Sequence, residues 1–482
     1  MPLRTRHSPR HNLEEYTVEA RIIEQLEAIV DAKNVLTTPE DLVSYSYDGS
    51  FAEYRPQVVV LPESTTQVSH LVALAHREMI HVVPRGMGTG LAAGSIPFDS
   101  PLVLGLTRMN RILEIDRQNM TCTAQAGVIT AHLQAEVEKL DLFYPPDPAS
   151  VRQSTLGGNA ACNAGGPRCL KYGVTADYVM GLTVVLADGR VIQTGGKAIK
   201  NVTGYNLTQL FVGSEGTLGV ITEVLVKLIR KPAHVRTALA IFDRLDDASR
   251  AVNAVLMAGI VPATLEMMDE TAIACIEEAM GLGLPLDKEA ILLIECDGND
   301  EHTVLREIKG VAETCRQCGA AEVQVARDEA ERERLWEARR SAGASLARKA
   351  PNKLGEDISV PRSQIPAAVR RIKEISREYG VPIVVFGHAG DGNLHPNVLF
   401  DKRDPEQWAR VQEVVHEIFA AALELGGTLS GEHGVGVLKR DFMYTALGAN
   451  AIDVQWRIKH ALDPQGILAP GKVLPPQDVP GA

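Results

Sequence analysis

The sequence has no apolar run approaching the eighteen or so residues that cross a membrane. It has no basic surplus either: a formal charge of −12 argues against a nucleic-acid partner, because a phosphate backbone demands a basic footprint. Cysteine is scarce and poorly placed for a cluster. Seven cysteines are spread over 482 residues, and the single C-x-x-C, Cys315 and Cys318, closes a stretch with amphipathic helical spacing. A zinc or iron–sulfur site would need a second pair nearby, and there is none. Reduced thiols in a cytoplasmic protein are therefore expected. The first residues, "MPLRTRHSPRHNLEEY", are basic but lack the apolar core of a secretory signal, so a frayed leader is expected there. Internal repeats, low-complexity tracts and long linkers are missing too.

What is present is the balance of a globular protein, 45% hydrophobic and 23% charged, in a chain long enough for two or three domains. A helical pattern ("EARIIEQLEAIVDA") precedes short strand-like runs bounded by turn signals, such as "PQVVVLP", "PLVLGL" and "GVITEVLVKLI". After "RKPAH" strands and helices alternate, as in "VRTALAIF", "DDASRAVNAVLMA" and "AILLIEC". The whole predicts an α+β protein whose second domain has helices covering one face of an antiparallel sheet. The expected divisions are an N-terminal helical segment (1–53), a glycine-rich domain (54–232), a second domain (233–438) and a C-terminal segment (439–482) that returns to the first.

Glycine marks the first domain. "PRGMGTGLAAG" (84–94) follows a strand-like run, but prolines and another strand come where a Rossmann turn would open a helix. Two readings survive: an ordinary turn, or a nest of bare N–H groups around an anion beside Arg85. "STLGGNAACNAGGPRCLKYG" (154–173) and "NVTGYNLTQLFVGSEGTLGVITE" (201–223) are further glycine-rich approaches. Three such stretches cost conformational entropy and suggest a long cofactor held mostly by main chain.

The second domain carries "GHAGDGNLHPN" (387–397) and "LSGEHGVGVLKRD" (429–441). His388, His395 and Glu432 are the residue types of a catalytic metal set, three protein ligands that leave positions for water or substrate. The spacing is not that of a zincin helix, and a pair of satisfied core histidines fits it equally well. Asp391, between two glycines, is expected to cap the turn. "LWEARRSAGASLARKAPNKLGEDISVP" (335–361) offers Arg339, Arg340, Arg348, Lys349 and Lys353, most of which read as a charged helix face.

"PRGMGTGL", "YPPDPAS", "STLGGNAACNAGG", "YVMGLTVVLADG" and "KNVTGYNLTQLFVGSEGTLGVITE" together resemble the FAD-binding domain of the vanillyl-alcohol-oxidase (PCMH-type) flavoproteins. The similar branch holds glycolate oxidase catalytic subunits, FAD-linked D-lactate dehydrogenases and D-2-hydroxyglutarate dehydrogenases, and the resemblance runs from about Val35 to Leu474. It implies a two-subdomain FAD-binding domain, and a cap domain whose antiparallel sheet forms ferredoxin-like halves covered by helices. It implies that Arg85, Gly86, Gly88, Thr89, Gly90 and Leu91 cradle the FAD pyrophosphate. Further cofactor contacts are implied for Asp147, Thr155, Gly157, Gly158, Asn163, Gly165, Gly166, Glu215, Gly216 and Ile221. FAD is expected to be non-covalent, since the pyrophosphate loop has no histidine and the nearby Cys162 and Cys169 lie in the second cluster. Asn206 stands where relatives carry an aspartate, which touches only a local hydrogen bond.

The same resemblance implies that His388, His395 and Glu432 bind zinc or manganese and that His433 is the catalytic base. Arg339, Lys353 and Asn397 would contact substrate, with Arg340 as the alternative arginine. Gly343 stands where 2-hydroxyglutarate enzymes carry a threonine, which favours glycolate or D-lactate. The implied reaction is oxidation of a small 2-hydroxy acid to the 2-oxo acid, with hydride transfer to flavin N5. Electrons would pass to an iron–sulfur subunit, an electron-transfer flavoprotein or a quinone, leaving a cytoplasmic enzyme that meets the membrane only through partners. A D-2-hydroxyglutarate-type dehydrogenase is the alternative within the family, and a flavin-free metallohydrolase the alternative outside it. His460 and Lys472 are expected to be structural.

Overall fold

The computed structural model describes residues 18–477; the basic leader (1–16) lies outside them. Two small sheets build the half that carries the glycine clusters. The first runs β1 (Val35–Leu36), β2 (Val58–Val60), β4 (Leu102–Gly105), β3 (Val82–Arg85), with β2 and β3 parallel to β4. Continuous apolar runs suit parallel strands buried on both faces. The helix Thr65–Arg77, capped by Ser64, packs Val68, Leu71 and Val72 onto Val58, Val60 and Val82. The second sheet is antiparallel, in the order β5 (Ile112–Asp116), β6 (Thr121–Gln125), β10 (Val220–Lys227), β8 (Val179–Val185), β9 (Val191–Gly195). A two-stranded ribbon pairs β7 (Leu142–Phe143) with β11 (Ile229–Arg230). The far edge of β3 is covered by the end of the chain: Leu468 pairs in parallel with Val82, and Ile467 and Leu468 are fully buried in the first core.

The other half is one antiparallel sheet. Its order is β15 (Ala320–Val325), β12 (His234–Phe242), β14 (Ala290–Gly298), β13 (Thr264–Asp269), β18 (Ile383–His388), β19 (Asn393–Phe400), β16 (Asn352–Gly355), with β17 (Ile358–Ser359) also against β19. The strands β12 to β15 stand in the order fourth, first, third, second, a ferredoxin-like half. The second half repeats this with β17, β18 and β19, but its fourth strand has shrunk to one bridge between Ser359 and Thr428. Beyond Thr428 the chain turns away from the sheet. The halves join where β13 pairs with β18.

Helices lie on both faces of this sheet rather than on one. The helices Leu245–Met257, Glu301–Gln317, Ile365–Tyr379 and Pro405–Glu424 share a core with Ala238, Ala240, Leu265 and Val385. Glu270–Met280 and Glu329–Leu346 pack on the opposite side against Leu239, Met268, Val384 and Phe386. The physical reason is in the strands: "ALAIF" and "AILLI" are apolar at every position, so neither face can be left to water. Aspartates at 269, 300, 328 and 404 cap four of these helices by accepting from first-turn N–H groups.

Candidate active site

Alternate residues of a strand share a face, and residues directly opposite in a ladder do too. Glu266 of β13 stands opposite His388 of β18, and His388 opposite Asn393 of β19. His395 and Asn397 continue the same face of β19, and Lys353 of β16 joins it opposite Leu399. The seven-residue spacing of the two histidines is thus a hairpin measure, since the turn 389–392 sets His395 diagonally across from His388. Asp391 caps that turn as expected, accepting from the Asn393 N–H at 3.1 Å. Gly392 is held at φ +88°, where a Cβ would lie 2.0 Å from the Val360 carbonyl oxygen. The imidazoles meet with Nε2 atoms 3.3 Å apart.

The segment after the Thr428 bridge supplies the third donor. Glu432 Oε1 lies 3.4 Å from His395 Nε2 and 3.7 Å from His388 Nε2. A tetrahedral ion about 2.1 Å from each ligand atom would hold them about 3.4 Å apart, so these three donors fit a divalent ion. His388 Nδ1 is fixed on Glu266 Oε1 at 2.5 Å, which turns Nε2 toward the other donors. Burial opposes charge on His388, but Glu266 and Glu432 outweigh it and hold its pKa well above the ordinary value. Burial dominates at His395 and pushes it down to about 3. An ion bound here would replace the proton that these carboxylates favour on His388 Nε2, because a ligating nitrogen must be free of it.

Asp357 anchors the loop. Its Oδ2 accepts from the Ser430 hydroxyl at 2.6 Å and from the N–H groups of Gly431, Glu432 and His433 at 3.0, 3.0 and 2.9 Å. Lys439, buried beside it, donates to the carbonyls of Asp357 and Leu429. His433 then stacks on His395, the ring centroids 5.4 Å apart, and its pKa is pulled below the ordinary value chiefly by burial. Arg339 reaches the same face from the helix Glu329–Leu346. Its Nε donates to Glu266 Oε2 at 2.6 Å, and its guanidinium lies 4.8 Å over the Phe386 ring. Arg340, the alternative, pairs with Glu333 instead. Lys353 has no ion pair among the described residues and faces the bare Cα of Gly343, with Nζ 3.5 Å from where a Cβ would stand.

From Glu432 and His433 one cleft runs to the first glycine loop. Of the expected cofactor contacts, Arg85, Gly86, Gly88, Thr89, Gly90, Leu91, Thr155, Gly157, Gly158, Gly165, Glu215, Gly216 and Ile221 line it. The N–H groups of residues 87–91 find no acceptor among the described residues, and Gly90 faces open space. Free donors on a bare loop fit a pyrophosphate. The Arg85 guanidinium is tucked inside the loop, donating to the Tyr47 carbonyl at 2.6 Å and the Ser95 hydroxyl at 3.1 Å. Gly157 serves packing, since a Cβ there would lie 2.4 Å from Ala126. The second cluster folds as a short helix, Leu156–Cys162, capped by Thr155.

Asp147, Asn163 and Gly166 stand just behind the wall. Asn163 accepts from the Ala176 N–H, and Gly166 abuts the Asp147 carbonyl, which a Cβ would approach to 2.5 Å. Glu215 spends its carboxylate on the N–H groups of Val435 and Gly436, at 2.7 and 2.9 Å, tying the third glycine cluster to the loop that carries Glu432 and His433. Asn206 keeps the capping role of an aspartate, accepting from the Gln209 N–H. Lys472 donates to the Gly94 carbonyl, and His460 packs on Trp456. Sequence reasoning missed Glu266, Asp357 and Lys439. The one available signal was a charge inside an apolar strand, as in "ATLEMMD".

Residues 231–473 match the family described as FAD linked oxidases, C-terminal domain, and residues 56–195 match an FAD binding domain. The chain is 46% identical to a glycolate oxidase subunit, GlcD, of Bacillus subtilis, covering 93% of this chain and 96% of the relative. It is 35% identical to a D-lactate dehydrogenase of Anaerostipes hadrus, covering 95% and 98%, and 32% identical to a D-2-hydroxyglutarate dehydrogenase of Stutzerimonas stutzeri, covering 94% and 98%. In fold it is similar to p-cresol methylhydroxylase, with a TM-score of 0.78 at 18% identity over 94% of this chain and 96% of that one. Matched over nearly its whole length, the protein is an FAD-linked oxidoreductase that belongs to the FAD linked oxidases.

Proposed function

We propose that the protein oxidises a small 2-hydroxy acid, glycolate or D-lactate, to the 2-oxo acid. FAD would lie along the cleft, and zinc or manganese at His388, His395 and Glu432. The observation that carries this reading is three metal-type donors, 3.3 to 3.7 Å apart, at the end of a cleft that His433 also lines. Bound FAD supplies a hydride acceptor, and a divalent ion supplies the Lewis acidity that lowers a hydroxyl pKa. His433 takes the hydroxyl proton; burial keeps its ring neutral and able to accept. Arg339 holds the substrate carboxylate. Its Nε is committed to Glu266, while its terminal nitrogens have no hydrogen-bond partner among the described residues, so the fork is free for a bidentate contact. Asn397 spends its amide N–H on the His395 carbonyl and keeps its oxygen for the substrate. Lys353 guards the outer end beside Gly343.

FAD is held non-covalently in this reading: burial pushes the Cys162 thiol up to about 12, far from a reactive thiolate. Electrons leave to an iron–sulfur subunit, an electron-transfer flavoprotein or a quinone. Support comes from seven free, dispersed cysteines, which offer no internal relay, and from the Bacillus relative, which is called a subunit. The enzyme would work in the cytoplasm and meet the membrane through that partner. No helix among the described residues is long and apolar enough to cross one.

The test is anaerobic mixing of the purified protein with glycolate, both lactate enantiomers and D-2-hydroxyglutarate. Bleaching of the flavin by glycolate or D-lactate is expected, and bleaching by D-2-hydroxyglutarate alone would move the substrate to a dicarboxylate. A colourless protein, or a flavin that none of the four reduces, sinks the proposal. Rapid turnover with oxygen alone would argue against a dedicated acceptor.

A further inference from the structure

Glu266 lies in the middle of an eight-stranded sheet and is 1% exposed. A carboxylate there costs several kcal/mol unless both oxygens are satisfied, and here they are satisfied by two residues of different function. Oε1 takes His388 Nδ1 at 2.5 Å, and Oε2 takes Arg339 Nε at 2.6 Å. The histidine comes from β18, the strand beside Glu266. The arginine comes down from the helix Glu329–Leu346 and is steadied from its other side by the Phe386 ring.

Each grip fixes an orientation. An imidazole held at Nδ1 can offer only Nε2 to a metal. A guanidinium held at Nε cannot turn about its long axis, so its two terminal nitrogens point in a set direction. We infer that Glu266 is a positioning residue that couples the metal ligand to the carboxylate-binding arginine, and so fixes the distance between metal and fork. The inference rests on the proposed function above and deepens it. One rigid spacing selects substrates whose carboxylate sits on the carbon that bears the hydroxyl. A simple alcohol would reach the metal without being oriented, and an acid with its hydroxyl further along would reach the fork without presenting that hydroxyl. The competing account is that Glu266 merely neutralises a buried arginine.

Glutamine at this position keeps the shape but has a single acceptor oxygen, so it cannot serve both partners. The experiment uses the full-length FAD-loaded protein and the variants Glu266→Gln, Glu266→Asp and Arg339→Lys. Three readouts are taken: zinc and manganese retained against a graded chelator, the substrate Kd from flavin bleaching at saturating Mn²⁺, and thermal unfolding. Glu266→Gln should weaken metal retention by about 10- to 100-fold, and should raise the substrate Kd at least about tenfold even when metal is restored. Arg339→Lys should raise the Kd while leaving metal retention at the wild-type level. Wild-type metal and substrate affinities in Glu266→Gln would overturn the inference. So would a loss of thermal stability alone, or metal loss with an unchanged Kd. If Glu266→Gln does not fold, Glu266→Asp carries the same readouts, because its shorter reach keeps the charge but holds one partner. A wild-type flavin that no 2-hydroxy acid bleaches would defeat the functional reading, whereas metal retention would still decide the link between Glu266 and His388.

Discussion

His433 and His388 both face Glu432, at 3.8 and 3.7 Å, yet their substitutions should separate cleanly. His433→Ala should keep FAD and metal but slow flavin reduction by about 10²- to 10⁴-fold, the usual worth of a positioned base. His388→Ala should lose the metal itself. Rapid mixing with substrate and metal analysis of both variants check the division, and an active His433→Ala enzyme would remove the base assignment. At this scale legibility followed distance along the chain. Two histidines seven apart could be read as a hairpin pair, because register is local. Glu266 could not, since its partners lie 73 and 122 positions away. Arg85 was found for its proximity to the glycine loop, but its direction, inward to Tyr47 and Ser95, depends on burial that no motif states.

Single elements carry their own predictions. Asp269 closes β13 and caps the helix that follows, fully buried. Burial raises its carboxyl to about 6, against the hydrogen bonds from Thr271 and Ala272. A folded pKa above the unfolded value of about 3.9 means the native state holds the proton more tightly. Its contribution is therefore full below pH 4 and is lost as pH rises through 6. Asp269→Asn keeps a good cap without the charge. It should match wild type near pH 4 and exceed it by on the order of 3 kcal/mol above pH 7, as read by denaturant unfolding across that range. In the hairpin, Gly392→Ala puts a Cβ against the Val360 carbonyl at positive φ and should cost about 2 kcal/mol or more; equal melting temperatures would refute this. The alternation of strand-like and helical runs made the second domain's sheet legible. The reduced fourth strand was not, because one bridge at Thr428 leaves no periodicity to detect.

At the scale of the molecule, the C-terminal return belongs to the first core. Leu468→Ala should destabilise the protein by about 2–5 kcal/mol, as a fully buried leucine does. FAD should also be held less tightly, because β3 leads straight into the loop 86–91; equilibrium unfolding and flavin release on dilution measure the two effects. The two halves grip each other through apolar contacts, such as Phe51 on Phe400 and Trp408, and through polar ones. Lys171 and Tyr172 of the cofactor half both hold Asp297 of β14, and neither residue advertises this in its local sequence. Glycine content pointed to the cleft, but which glycines face a ligand and which face Ala126 or Asp147 is decided only by packing.

The pairing of Leu468 with Val82 also sets an order of assembly. Lys472 reaches Gly94 across 378 positions, so on the ribosome the early strands emerge long before the segment that closes them has been made. The entire cap is translated in between. The domain synthesised first is thus the last to be completed, and β3 waits through most of translation with one side open.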